Sequence, residues 1–231
     1  STQRILAAAL NKVLGIENIS RKDIKTEVTG INHFTWITKA NYHSIDLFEV
    51  YDKYIDMQSR NNDPEAGRKK FFFDSCEWVK FDLFKRFGYI AAAGDRHLSE
   101  FCPKDWYLKN PDHVSSWGFS LTPVSWRIND LSWRKEQSRL YLSKEKPFEL
   151  YPSGEEGADQ IRAILGLNDL VTNVNLPNRG QIPNLPLGAV VETNAVFRDN
   201  SVTPVFAGEI PQNIYNLIFN TVQIQQEVIQ A

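Results

Sequence analysis

The stretch TEVTGINHFTWITKA, residues 26–40, is rich in β-branched and aromatic residues and predicts extended structure. Asn32 and His33 stand side by side within this otherwise apolar and aromatic run. Two neighbouring polar side chains in such a place either form local hydrogen bonds inside the protein or face a site. From the residues alone the structural role of His33 is favoured, because a lone histidine lacks metal-binding spacing.

Apolar residues at helical spacing surround this stretch and predict most of the remaining elements. The predicted helices cover residues 2–14, 45–55, 68–87, 123–144 and 153–166, the last with Ser153 as its N-cap, and a final helix starts at Pro211. The predicted strands cover residues 170–178, 189–197 and 202–208, with a turn at residues 199–200, and residues 101–117 are predicted to be a loop broken by Pro103 and Pro111. The pattern indicates an α+β protein with dominant helices and strands concentrated in the second half.

The composition excludes several classes of protein. The chain has 231 residues, 42% of them hydrophobic and 23% charged, which is typical of a globular domain. Its net charge of −2 provides no basic field for nucleic acid, and no apolar run is long enough to cross a membrane. The two cysteines, Cys76 and Cys102, form no disulfide framework and favour a reduced, cytoplasmic protein. There is no GxGxxG or GxxxxGK[ST] nucleotide-binding fingerprint.

The densest polar cluster is GDRHLSEF, residues 94–101. It predicts a helix start capped by Asp95, with Arg96 paired to Glu100 one turn later. The same residues could instead supply a base, an anion-binding guanidinium and an orienting carboxylate.

A second polar run, NVNLPNRGQIPNLP at residues 173–186, lies between two apolar strands. Its asparagines, prolines and glycine indicate irregular backbone. Such a loop either binds a ligand such as a sugar or is a turn-rich connection stabilised by Asx turns.

Five segments together resemble a known family. In chain order they are GINHFTW, YIAAAGDRHLSEF, SGEEG, NVNLPNRGQIPNLP and AVVETNAVF. They resemble the C-terminal domain of glycoside hydrolase family 4, the NAD- and Mn²⁺-dependent glycosidases, and most closely its α-galacturonidase branch. The resemblance covers almost the whole chain.

The resemblance implies an α+β fold similar to the C-terminal domain of lactate and malate dehydrogenases, with helices around a small, mostly antiparallel sheet. It also implies that residues 1–231 form a single catalytic and substrate domain, a fragment without the NAD-binding Rossmann domain.

The resemblance further implies a redox route to hydrolysis. NAD removes hydride from C3 of the sugar, and the metal acidifies the C2 proton by polarising the ketone. A base then removes that proton, the aglycone leaves, water adds and hydride returns. In this scheme His33 is a metal ligand beside an upstream cysteine that this chain lacks, and Asn32 lies near the substrate.

Many family members use a tyrosine as the C2 base, but residues 94–101 contain none. We therefore expect His97 to be the base, with Asp95 nearby. Arg96 would bind a uronate carboxylate, with Arg127 as a second candidate. Asn175 and Asn184 would line the sugar site.

Three functions stay open from the sequence: an enzyme fragment that is inactive alone, a sugar-binding module, and an oligomerisation domain. For the enzyme we expect a small-molecule glycoside such as a uronide as substrate, a homo-oligomer, and no nucleic-acid or membrane partner.

Overall fold

The 26–40 stretch folds as a β-hairpin whose strands meet at Asn32 and His33. The structure is a computed structural model that describes residues 2–58, 65–68, 71–151 and 155–231. Strand β1 (Ile24–Ile31) pairs antiparallel with β2 (Phe34–Tyr42), which confirms the predicted extended structure. His33 has φ +63°, a left-handed conformation that histidine and asparagine adopt more readily than bulkier residues. Just before the turn, a Cβ on Gly30 would lie 2.5 Å from the Phe34 carbonyl oxygen, so glycine is required there.

The other elements follow in chain order. The helices are α1 (Thr2–Leu14), α2 (Leu47–Asp56), α3 (Trp78–Phe87), α4 (Asp95–Glu100), α5 (Lys104–Tyr107), α6 (Pro111–Ser116), α7 (Val124–Leu142), α8 (Gly157–Ile164) and α9 (Gln212–Gln230). The later strands are β3 (Ile45–Asp46), β4 (Ile90–Ala91), β5 (Leu170–Pro177), β6 (Val190–Arg198) and β7 (Ser201–Pro204). The predicted first, second, fourth and last helices are confirmed within a few residues, as are the first two predicted strands and the turn after β6.

The strands form two antiparallel sheets rather than one late cluster. One sheet has the order β1–β2–β3 with β4 on β2, and the other has the order β5–β6–β7. The first sheet lies in the first half of the chain, so the prediction that strands concentrate in the second half was wrong. The hairpin joins two hydrophobic cores: Val28 and Ile37 pack with α1 and α2, whereas Phe34 and Trp36 pack with α3 and α9.

The predicted helix over residues 68–87 was wrong in its first half. Residues 69–70 lie outside the described part of the chain, and the helix begins only at Trp78. Before it, Phe72 and Phe73 pack against Trp126 at ring-centroid distances of 5.0 and 5.1 Å. The Cys76 N–H donates to the Gly118 carbonyl at 3.0 Å. These tertiary contacts hold residues 71–77 in a non-helical conformation.

Two further boundaries differ from the sequence prediction. Pro103 and Pro111 were expected to break a loop, yet Pro103 is the N-cap of α5 and Pro111 is the first residue of α6. Proline fits the first turn of a helix because the N–H it lacks has no intrahelical partner there. The predicted N-cap Ser153 lies outside the described residues, and α8 begins at Gly157 after Glu156.

Asn194 on β6 holds the two sheets together. The pairing of β1 with β2 shifts register between Glu27 and Val28, which is a β-bulge. The extra residue is Thr38 of β2, and β1 is the edge strand of this sheet, so the outer backbone groups of β1 have no ladder partner in it. The Asn194 side chain takes up two such groups: its Oδ1 accepts from the Val28 N–H at 3.0 Å, and its Nδ2 donates to the Thr26 carbonyl at 3.2 Å.

Asp95 caps a neighbouring helix rather than its own. The N-cap of α4 is Gly94, and Asp95 is the first helical residue, with no exposed surface. Its Oδ1 accepts from the Lys80 N–H at 3.1 Å in the first turn of α3, and its Oδ2 accepts from the Ser75 hydroxyl at 2.8 Å. The prediction that Asp95 caps α4 was therefore wrong, because its carboxylate satisfies an amide of α3.

Helix α7 lies largely on the surface of the described part of the protein. None of its residues is buried, and Ile128, Leu131 and Trp133 are exposed. Within the described ranges, no helix is both long enough and apolar enough for a membrane crossing.

We expect Asn194→Ala to lower the free energy of unfolding by about 1–3 kcal/mol, because the Val28 N–H and the Thr26 carbonyl would be left unpaired in a partly buried place. Denaturant-unfolding midpoints would measure the change. The control is Asn129→Ala on the exposed face of α7. Equal midpoints for the two variants would show that the Asn194 side chain does not stabilise the contact between the two sheets.

The buried Asp95 should also make stability depend on pH. Burial first, and the charge of Glu77 second, raise its pKa from 3.8 to about 7. Between these values the native state keeps a proton that the unfolded state releases, so the contribution to stability falls as pH rises from about 4 to about 7 and is level above that.

Asp95→Asn should remove this dependence. We expect the midpoint difference between the parent and Asp95→Asn to decline over that range, whereas the exposed control Asp105→Asn gives a flat difference. A flat difference for Asp95→Asn would show that the native carboxyl titrates like a free one.

Candidate functional site

The hairpin turn and α4 bring two of the predicted site residues into contact. The rings of His33 and His97 lie 4.5 Å apart between centroids, at an interplanar angle of 39°. His33 is exposed, and among the described residues its ring nitrogens have no hydrogen-bond partner. His97 is half exposed, with its Nδ1 buried and 3.8 Å from the Glu100 carboxylate. Two imidazoles in contact at an open surface can bind a cation or exchange a proton.

A polar face of the second sheet lies next to this turn. Asn175 on β5 stands directly opposite Glu192 on β6 in the antiparallel ladder. The Asn175 Nδ2 donates to the Asn32 Oδ1 at 3.4 Å, a long hydrogen bond that joins the sheet to the turn. The Asn173 amide donates to Glu192 Oε1. Asn32, His33, His97, Asn175 and Glu192 therefore lie around one open patch.

The charge of Glu192 is coupled to this patch. Burial raises the pKa of the Glu192 carboxyl, while the hydrogen bond from Asn173 and the nearby positive charge of His33 lower it. The net direction is upward. The carboxylate is thus partly removed from water, and His33 is close enough to act on it electrostatically.

Two arginines lie together beside α4. The Arg96 Nη1 donates to the Phe72 carbonyl at 2.9 Å and to the Thr122 hydroxyl at 2.8 Å. Burial lowers the pKa of Arg96, and the nearby positive charge of Arg127 lowers it further. Two neighbouring guanidinium groups that destabilise each other's charge are suited to binding an anion.

Two predicted site residues point away from the patch. The Asp95 carboxylate faces the interior, as described above. Asn184 forms a closed pair with Ile210: its Nδ2 donates to the Ile210 carbonyl at 2.9 Å, and its Oδ1 accepts from the Ile210 N–H at 2.8 Å. Both polar atoms of Asn184 are thereby used to hold the segment before α9. The roles predicted for these two residues stay predictions.

The site is an open surface rather than an enclosed pocket. The cavity next to His97 and Arg96 has a volume of about 60 Å³ and is bordered by Ser75 and Phe72. A cavity of this size holds a few water molecules and is too small for a sugar. Asn32, His33 and Asn175 are exposed, so a sugar ring could contact the face formed by the turn and the β5–β6 sheet.

The donor atoms of the patch suit a divalent cation only in part. Imidazole nitrogen together with carboxylate and amide oxygens is a donor set that Mn²⁺ accepts. Yet in the described part of the chain no three His, Cys, Asp or Glu side chains are grouped to hold a metal ion. Neither cysteine forms a disulfide, and Cys102 is buried with its pKa raised to about 12 by burial, so it is a poor thiolate ligand. His33 fits as one ligand of an ion whose other ligands come from elsewhere.

Sequence reasoning missed Asn173 and Glu192 as members of the patch. A signal was available, because polar residues recur at alternate positions in β5 (Asn173, Asn175) and in β6 (Glu192, Asn194). Alternate residues of a strand share one face, so both strands have a polar face. The interpretation of residues 173–186 as one irregular loop concealed this pattern, since residues 173–177 belong to β5.

Comparison with known proteins gives the same family for nearly the whole chain. Residues 28–231 match the family described as "Family 4 glycosyl hydrolase C-terminal domain". An alpha-galacturonidase of Thermoanaerobacterium saccharolyticum is 50% identical over 233 aligned residues, which cover 100% of this chain and 50% of that protein. The chain thus spans about half the length of the curated relatives it matches.

Solved structures agree on the fold. A crystal structure from Bacillus subtilis, described as a candidate glucosidase, is 41% identical with a TM-score of 0.88, over 100% of this chain and 52% of that one. A 6-phospho-α-glucosidase from gut microorganisms, solved in complex with NAD and Mn²⁺, shares the fold with a TM-score of 0.66 at 18% identity, over 100% of this chain and 50% of that one. The chain belongs to glycosyl hydrolase family 4, and its residues 28–231 match the C-terminal domain of that family.

Proposed function

We propose that this chain is the substrate- and metal-binding half of a glycosidase that cleaves α-galacturonides with the help of NAD and a divalent metal such as Mn²⁺. The observation that carries the proposal is the 50% identity to an alpha-galacturonidase along the entire chain. The open patch around His33 supports it, because it combines an accessible imidazole, amide groups and nearby cationic side chains.

His33 would be the metal ligand provided by this domain. Its left-handed position in a two-residue turn makes the ring accessible, and the described residues offer it no competing hydrogen bond. A bound divalent ion would supply Lewis-acid polarisation of a sugar oxygen. The remaining ligands would come from the other half of the protein and from the substrate.

His97 would move the proton during elimination. Imidazole takes up and releases protons near neutral pH, as proton abstraction beside a carbonyl requires. Its ring touches that of His33, so a base at His97 would lie beside the metal-bound part of the sugar. Asn32 and Asn175 would orient the sugar, because amides both donate to and accept from hydroxyl groups.

Arg96 and Arg127 would bind the uronate carboxylate. Burial, and after it the positive charge of Arg127, lower the pKa of Arg96, and an anion bound between the two guanidinium groups would offset the effect of that charge. NAD would be held outside this chain, whose sequence carries no dinucleotide-binding fingerprint. A cytoplasmic location and a homo-oligomer stay predictions.

The direct test uses the full-length protein with NAD, Mn²⁺ and reductant on p-nitrophenyl α-galacturonide. We expect turnover by the parent and loss of both activity and Mn²⁺ dependence in His33→Ala, while His43→Ala, an exposed histidine in another turn, keeps both. The 231-residue domain alone should hydrolyse nothing under the same conditions. Metal-dependent turnover by His33→Ala, or by the isolated domain, would overturn the proposal.

Arg127→Gln in the full-length protein should raise KM for the galacturonide about tenfold or more, because a charged hydrogen bond contributes about 1.5–3 kcal/mol. The KM for the corresponding neutral α-galactoside should stay within about twofold. Parallel assays on the two substrates measure the difference. An equal rise in KM for both substrates would show that Arg127 does not bind the carboxylate.

A further inference from the structure

Glu192 differs from the other partly buried acidic side chains near the core. Glu77 lies 3.1 Å from the ammonium of Lys80, and Asp82 lies 2.6 Å from the guanidinium of Arg86. Within the described ranges, Glu192 forms no ion pair with a lysine or arginine. Its hydrogen-bond partner is the neutral amide of Asn173. A carboxylate that is partly withdrawn from water without a cation is destabilising on its own.

The position of Glu192 indicates where a cation could bind. Its cross-strand neighbour Asn175 contacts Asn32, the residue before His33, so Glu192 stands on the sheet face that meets the hairpin turn. The Asn173 amide fixes the direction of the carboxylate on that face. A divalent cation bound to the His33 imidazole would therefore meet a negative charge that is already oriented and that no lysine or arginine of the described residues pairs with.

We propose that Glu192 is a positioning residue for the divalent metal: its carboxylate, oriented by Asn173, attracts the cation to His33 without being required to ligate it. This inference rests on the proposed function, in which His33 binds the metal. A carboxylate in this position strengthens metal binding because its attraction acts through a partly desolvated environment.

The test measures metal binding rather than turnover. Full-length protein is freed of metal, and Mn²⁺ binding is followed by the electron paramagnetic resonance signal of the free ion. We expect Glu192→Gln to raise the Mn²⁺ dissociation constant about 10- to 100-fold. Glu192→Asp should restore part of the affinity, and the control Glu49→Gln, on the exposed side of α2, should leave it unchanged.

A second readout separates positioning from a structural role. In metal-free protein, Glu192→Gln should be as thermally stable as the parent or more so, because a partly buried unpaired charge has been removed. With saturating Mn²⁺, the parent should gain more thermal stability than the variant. A purely structural role predicts the reverse, namely lower metal-free stability with an unchanged dissociation constant, and that result would overturn the inference.

His33→Ala distinguishes the failure of this inference from the failure of the proposed function. If His33→Ala abolishes Mn²⁺ binding while Glu192→Gln changes it less than about twofold, Glu192 has no positioning role and the metal assignment stands. If His33→Ala also binds Mn²⁺ like the parent, both the metal assignment and the inference fail.

Discussion

The position of the Asn32–His33 turn depends on one contact between the two sheets. Strand β1 is at the edge of its sheet, and the side chain of Asn194 bonds the Val28 N–H and the Thr26 carbonyl of this strand. This contact fixes the hairpin against β6, and the weaker hydrogen bond between Asn175 and Asn32 extends the fixation to the turn. The two hydrogen-bonded contacts thereby help to set where the imidazole of the turn lies relative to β5 and β6.

The same face of β5 and β6 therefore has a structural end and a functional end. Both polar atoms of the Asn194 side chain bond backbone groups of β1. Asn175 and Glu192, which stand opposite each other two residues along the strands, face the open patch. The alternation of a strand places these residues on one side. A rigid strand pair thus carries the site, which suits a constellation that must be held in a fixed geometry.

The charges around the patch are poorly neutralised by the domain itself. Arg96 lies near the positive charge of Arg127, and the partly desolvated Glu192 carboxylate is hydrogen-bonded to the Asn173 amide rather than to a lysine or arginine. By contrast, the buried Asp95 lies in a network with Ser75 and the backbone of α3. Unbalanced charge concentrated at one surface is typical of a site that awaits charged ligands. Here the ligands would be an anionic sugar and a divalent cation, of opposite sign to the groups that face them.

Much of the fold followed from local patterns in the sequence, whereas the site followed only in part. Alternation in residues 26–40 and helical spacing in residues 2–14 act over a few residues, so the elements they predict are confirmed. Residues 71–77 are determined by aromatic packing on Trp126, which no local pattern reveals. Likewise, the sequence does not distinguish Asn184, closed on Ile210, from Asn175, which faces the patch, because the difference arises from distant partners. The contact between His33 and His97 also depends on tertiary packing.

The central claim is that the hairpin turn presents an imidazole to a metal ion at the open patch. The most direct measurement is an anomalous-scattering map from crystals of the full-length protein grown with Mn²⁺. We expect the metal peak within coordination distance of the His33 ring, on the side that faces Glu192 and Asn175. A peak elsewhere, with the His33 ring left to solvent, would contradict the claim.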